Sequence, residues 1–371
     1  MNNKKNKRDI KYETVRVVAM LFVITIHQLD PLRLKLQNPI TYNIFSLILL
    51  TCNGMFFMLS GKFALQFNYE KEGCYKKYYF NKFVGLIIPV LVYMAIKIVY
   101  LMKYVIFIPI TFKSVLKTYI KSVIEGYAQT EYWFIYYLIA NLIVAPFLAR
   151  IFKNINKKES YLFFGICLIS NALMVYPKLI GINFAVPFYL AGMNVYFFMG
   201  SLYDKMITNK KEKVIVIILG IISYGIAVFQ LQIGKAINIY DLAPTAILTV
   251  AMMYTCITSF IKIRGNTISK IILFLGKHSF SIYLIHMIML DFATYIFPYN
   301  ENIPIAFYIV VKVVMILLLS LVAAIIIDNT IVKILQKIII KINEPIESKI
   351  NDLKKKNRKL IGETIRNDWK K

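Results

Sequence analysis

The fold class this sequence predicts is all-α: a polytopic membrane helical bundle of about ten transmembrane helices, with both termini cytoplasmic. Three observations predict it. Hydrophobic residues fill 58% of the 371 positions and charged residues only 17%, against roughly 25% charged in a soluble domain. Apolar stretches of about 18 or more residues recur, each able to cross a ~30 Å hydrocarbon layer as a helix rising 1.5 Å per residue. Lys and Arg are concentrated in alternate connections, as the positive-inside rule requires of a spanning chain.

Hydropathy places the spans at about 12–29, 40–61, 84–101, 131–149, 160–176, 184–202, 214–231, 242–261, 271–297 and 304–327. The first follows a charged N-terminal run, as a signal peptide would. It holds Arg16 and His27 and lacks a small-residue cleavage site, so it is read as a retained span. With the N-terminus inside, 33 of the 45 Lys and Arg fall in cytoplasmic segments and 8 in outer ones. Arg16, Lys97, Lys277 and Lys312 lie within or at the edge of spans. The chain divides into a basic cytoplasmic N-terminus (1–11), a transmembrane domain (12–327) and a basic tail (328–371). In the tail, Ile346, Ile350, Leu353, Leu360, Ile361 and Ile365 recur at roughly helical spacing among lysines, which suits the inner membrane surface or a solvated tail.

This distribution accounts for the net charge of +26 as a belt facing the anionic head groups of the lipid bilayer, with no nucleic acid. Cys52, Cys74, Cys167 and Cys256 show no ligand spacing, so neither a disulfide framework nor a metal site is indicated. No nucleotide-type glycine loop and no internal repeat occurs.

Ionisable groups at membrane depth are rare and costly, which makes each a candidate for chemistry. Arg16 and His27 are eleven positions apart, close to a whole number of turns at ~100° per residue, so both share one face of the first helix. The rise between them is ~16 Å, which puts Arg16 near the cytoplasmic boundary and His27 near mid-membrane. An imidazole there can take a proton from a hydroxyl. The bland alternatives are an arginine snorkelling to lipid phosphate and a packed bundle histidine. His278 and His286 share one later segment, GKHSFSIYLIHMIML, with Ser279 and Tyr283 on the flank of His286; orienting a ligand and packing helices are both open for this pair.

Ser60 and Gly61 end the second span, where small residues permit close helix approach or contact with a ligand. No nucleophile elbow surrounds Ser60, which argues against a serine hydrolase. Glu131 and Trp133 open the fourth span, Trp133 either at a site or in an interfacial aromatic belt with Tyr136 and Tyr137. Asp30, one turn past His27, either holds the second imidazole nitrogen or caps the helix. Lys97 and Lys312 either snorkel or pair with an anion.

Taken together, these residues resemble the acyltransferase-3 family of integral membrane acyltransferases, which O-acetylate bacterial surface polysaccharides and related acceptors. RVVAMLFVITIH matches the family's R-x10-H pattern through Arg16 and His27. FFMLSGKF resembles its FFxxSGF run through Phe56, Phe57, Ser60 and Gly61, with Lys62 inserted. YWFI at Tyr132 to Ile135 resembles an LWFL-like motif, and SFSIYLIH, ending at His286, a late SxxIYLxH pattern. The resemblance implies a bacterial inner-membrane enzyme with His27 and Arg16 as its essential pair. It also implies acetyl-CoA entering from the cytoplasm as acyl donor, no permanently bound cofactor, and a glycan or lipid-linked sugar as acceptor. Two departures stand out: family arginines before the third span are covered only by Lys82, followed by Gly85, and Glu131 replaces a different polar residue.

The leading reading is therefore O-acyl transfer, with His27 as general base and Arg16 on donor phosphate or the developing oxyanion. Ser60, Gly61, Lys82, Glu131, Trp133, Tyr283, His286 and Asp30 are read as supporting or substrate-binding residues. A transporter or exporter of a polysaccharide or small anionic solute is the competing class, using the same Arg and His as a solute or proton path. An inert scaffold ranks last.

Overall fold

The computed structural model describes residues 8–35, 39–107, 109–126, 131–182, 190–232, 243–263 and 265–345. All regular structure among them is helical, and each of the ten predicted spans contains a helix. Thirteen α-helices follow in order: α1 Ile10–Leu29, α2 Pro39–Leu49, α3 Thr51–Ala64, α4 Cys74–Lys82, α5 Ile88–Tyr104, α6 Phe112–Glu125, α7 Trp133–Asn154, α8 Lys157–Val175, α9 Asn194–Met206, α10 Lys210–Gln232, α11 Pro244–Ser259, α12 Asn266–Ile296 and α13 Ile305–Ile327.

Eight helical stretches among the described residues are long and apolar enough to cross a bilayer, two fewer than the sequence predicted. The sixth and eighth spans are the short ones, with 13 residues in α9 and 16 in α11. Ahead of α9, Gly192 adopts a left-handed φ of 86° that a helix cannot continue through. Its N–H is tied to the Asn171 side chain at 2.9 Å. Pro244 occupies the start of α11, where a missing N–H is harmless.

The third span begins earlier than hydropathy suggested, because α4 and α5 form one helix from Cys74 to Tyr104. They meet in a widened π turn over Phe83–Ile87. Pro89 has no N–H to offer the carbonyl of Gly85 four residues back, so the helix cannot hold its normal repeat there. Gln336 donates from its side chain to the Val84 carbonyl at 2.9 Å, satisfying a group in that turn. The last helix runs on from Ile305 to Pro345 through a second π turn at Asp328–Val332, so the first part of the expected tail is helical. The amphipathic positions from Ile346 onward lie outside the described residues. The connection 102–130 is not a plain loop: α6 lies there, opened by a reciprocal Thr111–Ser114 cap.

Helix α1 is central, packed against α2, α3, α11, α12 and α13. It runs parallel to α12, since Glu13 abuts Gly276 at one end and the His27 and His286 rings meet at the other. Helices α3 and α9 cross closely. A β-carbon on Gly61 would stand 1.8 Å from the Phe197 carbonyl oxygen, and one on Gly200 1.9 Å from that of Met58. Gly61 thus serves close helix approach, and Ser60 beside it faces a cavity. Lys62, the extra residue in the FFMLSGKF run, ties the same two helices by an ion pair with Asp204 and sits 4.8 Å from the Tyr12 ring centroid. On the outside, α10 and α13 expose isoleucine, leucine, valine and phenylalanine along their length. Apolar surface of that extent belongs against hydrocarbon.

Candidate functional site

One cavity, of about 530 Å³, opens at the end of the bundle where α1 begins. Arg8, Arg16, Lys82 and Lys277 bring four cations to its wall, beside Ser60 and apolar side chains including Phe56 and Phe134. Lys82 and Gly85 reach it from the π-turn region, and Gly276 and Lys277 from α12. Arg16 is not free in this structure: its Nη1 donates to Oε1 of Glu13 at 2.5 Å. Glu13 is buried, with 3% of its surface exposed, and Arg8 approaches its other oxygen at 3.6 Å. The carboxylate packs directly on Gly276; a β-carbon there would lie 2.3 Å from Glu13 Oε2.

At the opposite end, two smaller cavities share His27 and Glu131. The first, about 170 Å³, adds Asp30, Trp133 and Tyr283. The other, about 270 Å³, adds Lys97, Tyr100 and Asp291. Arg16 and His27 therefore do not share one cavity. Tyr283 lines both the basic cavity and the smaller His27 cavity. Its ring lies 5.6 Å from Phe134 and 6.4 Å from Phe56, and its hydroxyl donates to the Glu131 carbonyl, so it forms an anchored partition.

Beside this partition, the His27 and His286 rings lie 5.2 Å apart between centroids, tilted 43° to each other. His286 is fully buried, and its Nδ1 lies 2.5 Å from the Tyr283 carbonyl. A carbonyl only accepts, so Nδ1 carries the proton and Nε2 presents a lone pair. That Nε2 has no hydrogen-bond partner.

The open alternatives for the remaining residues are resolved by contacts. Lys97 does not snorkel; it pairs with Glu131 at 2.5 Å, both side chains buried, with the ammonium 4.9 Å from the Tyr132 ring. Tyr132 in turn donates to the Leu284 carbonyl at 2.9 Å. Lys312, fully buried, neither snorkels nor meets a carboxylate: it donates to the Phe297 carbonyl at 2.8 Å and the Tyr308 hydroxyl at 3.0 Å, capping the end of α12. Asp30 accepts from the Tyr42 hydroxyl at 2.5 Å and caps α1, with no hydrogen bond to His27. Trp133 lines the His27 cavity, whereas Tyr136 donates to carbonyls of α6. His278, 3.8 Å from Asp328, belongs to a separate cluster with Tyr93.

Sequence reasoning missed Glu13 and Arg8 around the basic cavity, and Tyr100 and Asp291 in the cavity of Lys97; Lys277 was marked only as an ionisable group at a span edge. Glu13 had a signal, a carboxylate three residues before Arg16 on the same helix face.

The described residues thus form an all-helical bundle with a cationic cavity at one end and paired histidines behind it. The family model described as an acyltransferase domain, of the acyltransferase-3 type, matches residues 9–327. The chain belongs to this family and is a multi-pass membrane acyltransferase. No curated protein matches the chain. No solved structure matches it. Membership favours acyl transfer over the exporter and scaffold readings.

Proposed function

We propose that the protein transfers an acetyl group from acetyl-CoA to a hydroxyl of a surface glycan or lipid-linked sugar, in the plasma membrane of a bacterium. The observation that carries this reading is the pair of unlike cavities separated by Tyr283. Acetyl-CoA is an anion at one end of a flexible arm and a thioester at the other. Lys82, Lys277, Arg8 and Arg16 offer the phosphates a cationic seat at the end of the bundle that the charge count assigns to the cytoplasm. From Arg16, the eleven residues of α1 rise ~16 Å to His27, the interval the arm has to span.

The acceptor hydroxyl gives its proton to His27 while its oxygen attacks the thioester carbon. The new C–O bond forms, the C–S bond breaks, and the proton passes from His27 to the departing thiolate, leaving an ester and free coenzyme A. His286, whose ring centroid lies 5.2 Å from that of His27, positions that imidazole. Base assistance of this type contributes about 10²–10⁴-fold. Transfer through an acetyl-histidine is the two-step variant of the same chemistry.

The test is purified protein in lipid with radiolabelled acetyl-CoA and a glycan acceptor. Label moving into the acceptor, with stoichiometric release of coenzyme A, supports the reading. Donor left intact while solute crosses the membrane contradicts it.

A further inference from the structure

The far cavity carries a second kind of recognition. On α5, Lys97 and Tyr100 are three residues apart and so lie on one helix face; Met287 and Asp291 of α12, four apart, share another. His27 and Glu131 complete the wall. Asp291 lies on the exposed side of this wall, and the Tyr100 hydroxyl donates to its Oδ2 at 2.8 Å. The tyrosine fixes the carboxylate but takes only part of its acceptor capacity.

The charges of the two cavities differ in sign. Lys97 offsets Glu131 through their direct pair, which leaves Asp291 as the uncompensated charge of the far cavity. The basic cavity has four cations against the single carboxylate of Glu13. A donor bearing phosphates is therefore repelled from one site and drawn to the other. We infer that the far cavity is the acceptor subsite and that Asp291, held by Tyr100, selects an uncharged sugar residue over one bearing a carboxylate or phosphate. This rests on the proposed acyl transfer for the meaning of the word acceptor, but not for the binding itself. Two sugar hydroxyls can donate to the free lone pairs of Asp291 while a third reaches His27; an anionic substituent in the same place meets a fixed like charge.

The experiment measures binding without requiring turnover. Full-length protein in lipid nanodiscs is titrated with methyl glucoside, galactoside and mannoside and with the matching uronates, by ligand-observed NMR, for the unmodified chain, Asp291→Asn, Asp291→Lys and Tyr100→Phe. Coenzyme A binding in the same samples reports on the other cavity and on folding. The unmodified protein should favour a neutral glycoside over its uronate by about tenfold or more, Asp291→Asn should shrink that ratio, and Asp291→Lys should invert it. Tyr100→Phe should weaken glycoside binding with coenzyme A binding kept. Absence of glycoside binding, equal binding of both forms, or a ratio that Asp291→Lys leaves unchanged overturns the subsite. Glycoside binding that follows Asp291 without any acyl transfer in a parallel assay overturns the catalytic reading instead.

Discussion

Glu13 and Gly276 interlock: the buried carboxylate of one occupies the space where the other would carry a side chain, and that carboxylate holds the Arg16 guanidinium at 2.5 Å. Glycine at 276 thereby leaves room for the carboxylate that holds Arg16. Introducing Gly276→Ala should displace the carboxylate and weaken coenzyme A binding about tenfold, the worth of a charged hydrogen bond. Adding Glu13→Asp, which shortens the displaced side chain, should restore part of the affinity. Calorimetric titration of the single and double variants checks this, and a Gly276→Ala protein that binds normally contradicts it.

Lys97 and Glu131 form a pair whose side chains are 5% and 4% exposed. Leaving either charge alone at that depth should destabilise the protein by about 3–5 kcal/mol, whereas replacing both by apolar residues of similar size should be milder. Thermal unfolding of Lys97→Met, Glu131→Leu and the double variant measures the difference. Additive losses in the double variant would show that the pair is not coupled.

Tyr283 stands between the basic cavity and the smaller His27 cavity, braced by Phe134 and tied to the Glu131 carbonyl. Tyr283→Ala should open the partition and let water reach a bound thioester, raising donor hydrolysis without acceptor by about tenfold while transfer falls. Tyr283→Phe keeps the ring and should raise hydrolysis far less. Thiol release with and without acceptor separates the two outcomes, and a tight Tyr283→Ala protein would rule out the partition.

His286 offers a buried, unpartnered Nε2 next to His27. With His286→Ala, transfer should slow by about 10–100-fold, the usual effect of removing a group that orients a reacting partner. Steady-state kinetics should show the loss in kcat, with KM for the donor little changed, because the donor seat is elsewhere. A variant with unchanged kcat would reduce His286 to packing.

Much of this arrangement was legible in the chain because helical periodicity acts locally. Arg16 and His27 fall on one face of α1 from spacing alone, and that helix forms as one piece from Ile10 to Leu29. The all-helical bundle followed from apolar run length, which the bilayer enforces through the demand that every backbone group be satisfied. Contacts between distant helices carry no such local signature. Nothing near Lys97 announces Glu131, 34 positions on, and nothing near Tyr100 announces Asp291, 191 positions on. Helix ends were also hidden where hydropathy averages across a break: Gly192 lies just ahead of the late start of α9, and what read as a fresh span continues Cys74–Lys82 through a π turn. The Gly61–Gly200 crossing was half visible, since Gly61 was marked as a place for close approach but its partner was not.

The most direct test is the effect of His27→Ala on two quantities in one preparation: coenzyme A affinity and acetyl transfer to acceptor. Binding should stay within about twofold of the unmodified protein while transfer falls by about 10²–10⁴-fold. Transfer at the unmodified rate, with His27 gone and the donor still bound, would contradict the assignment of the proton to this imidazole.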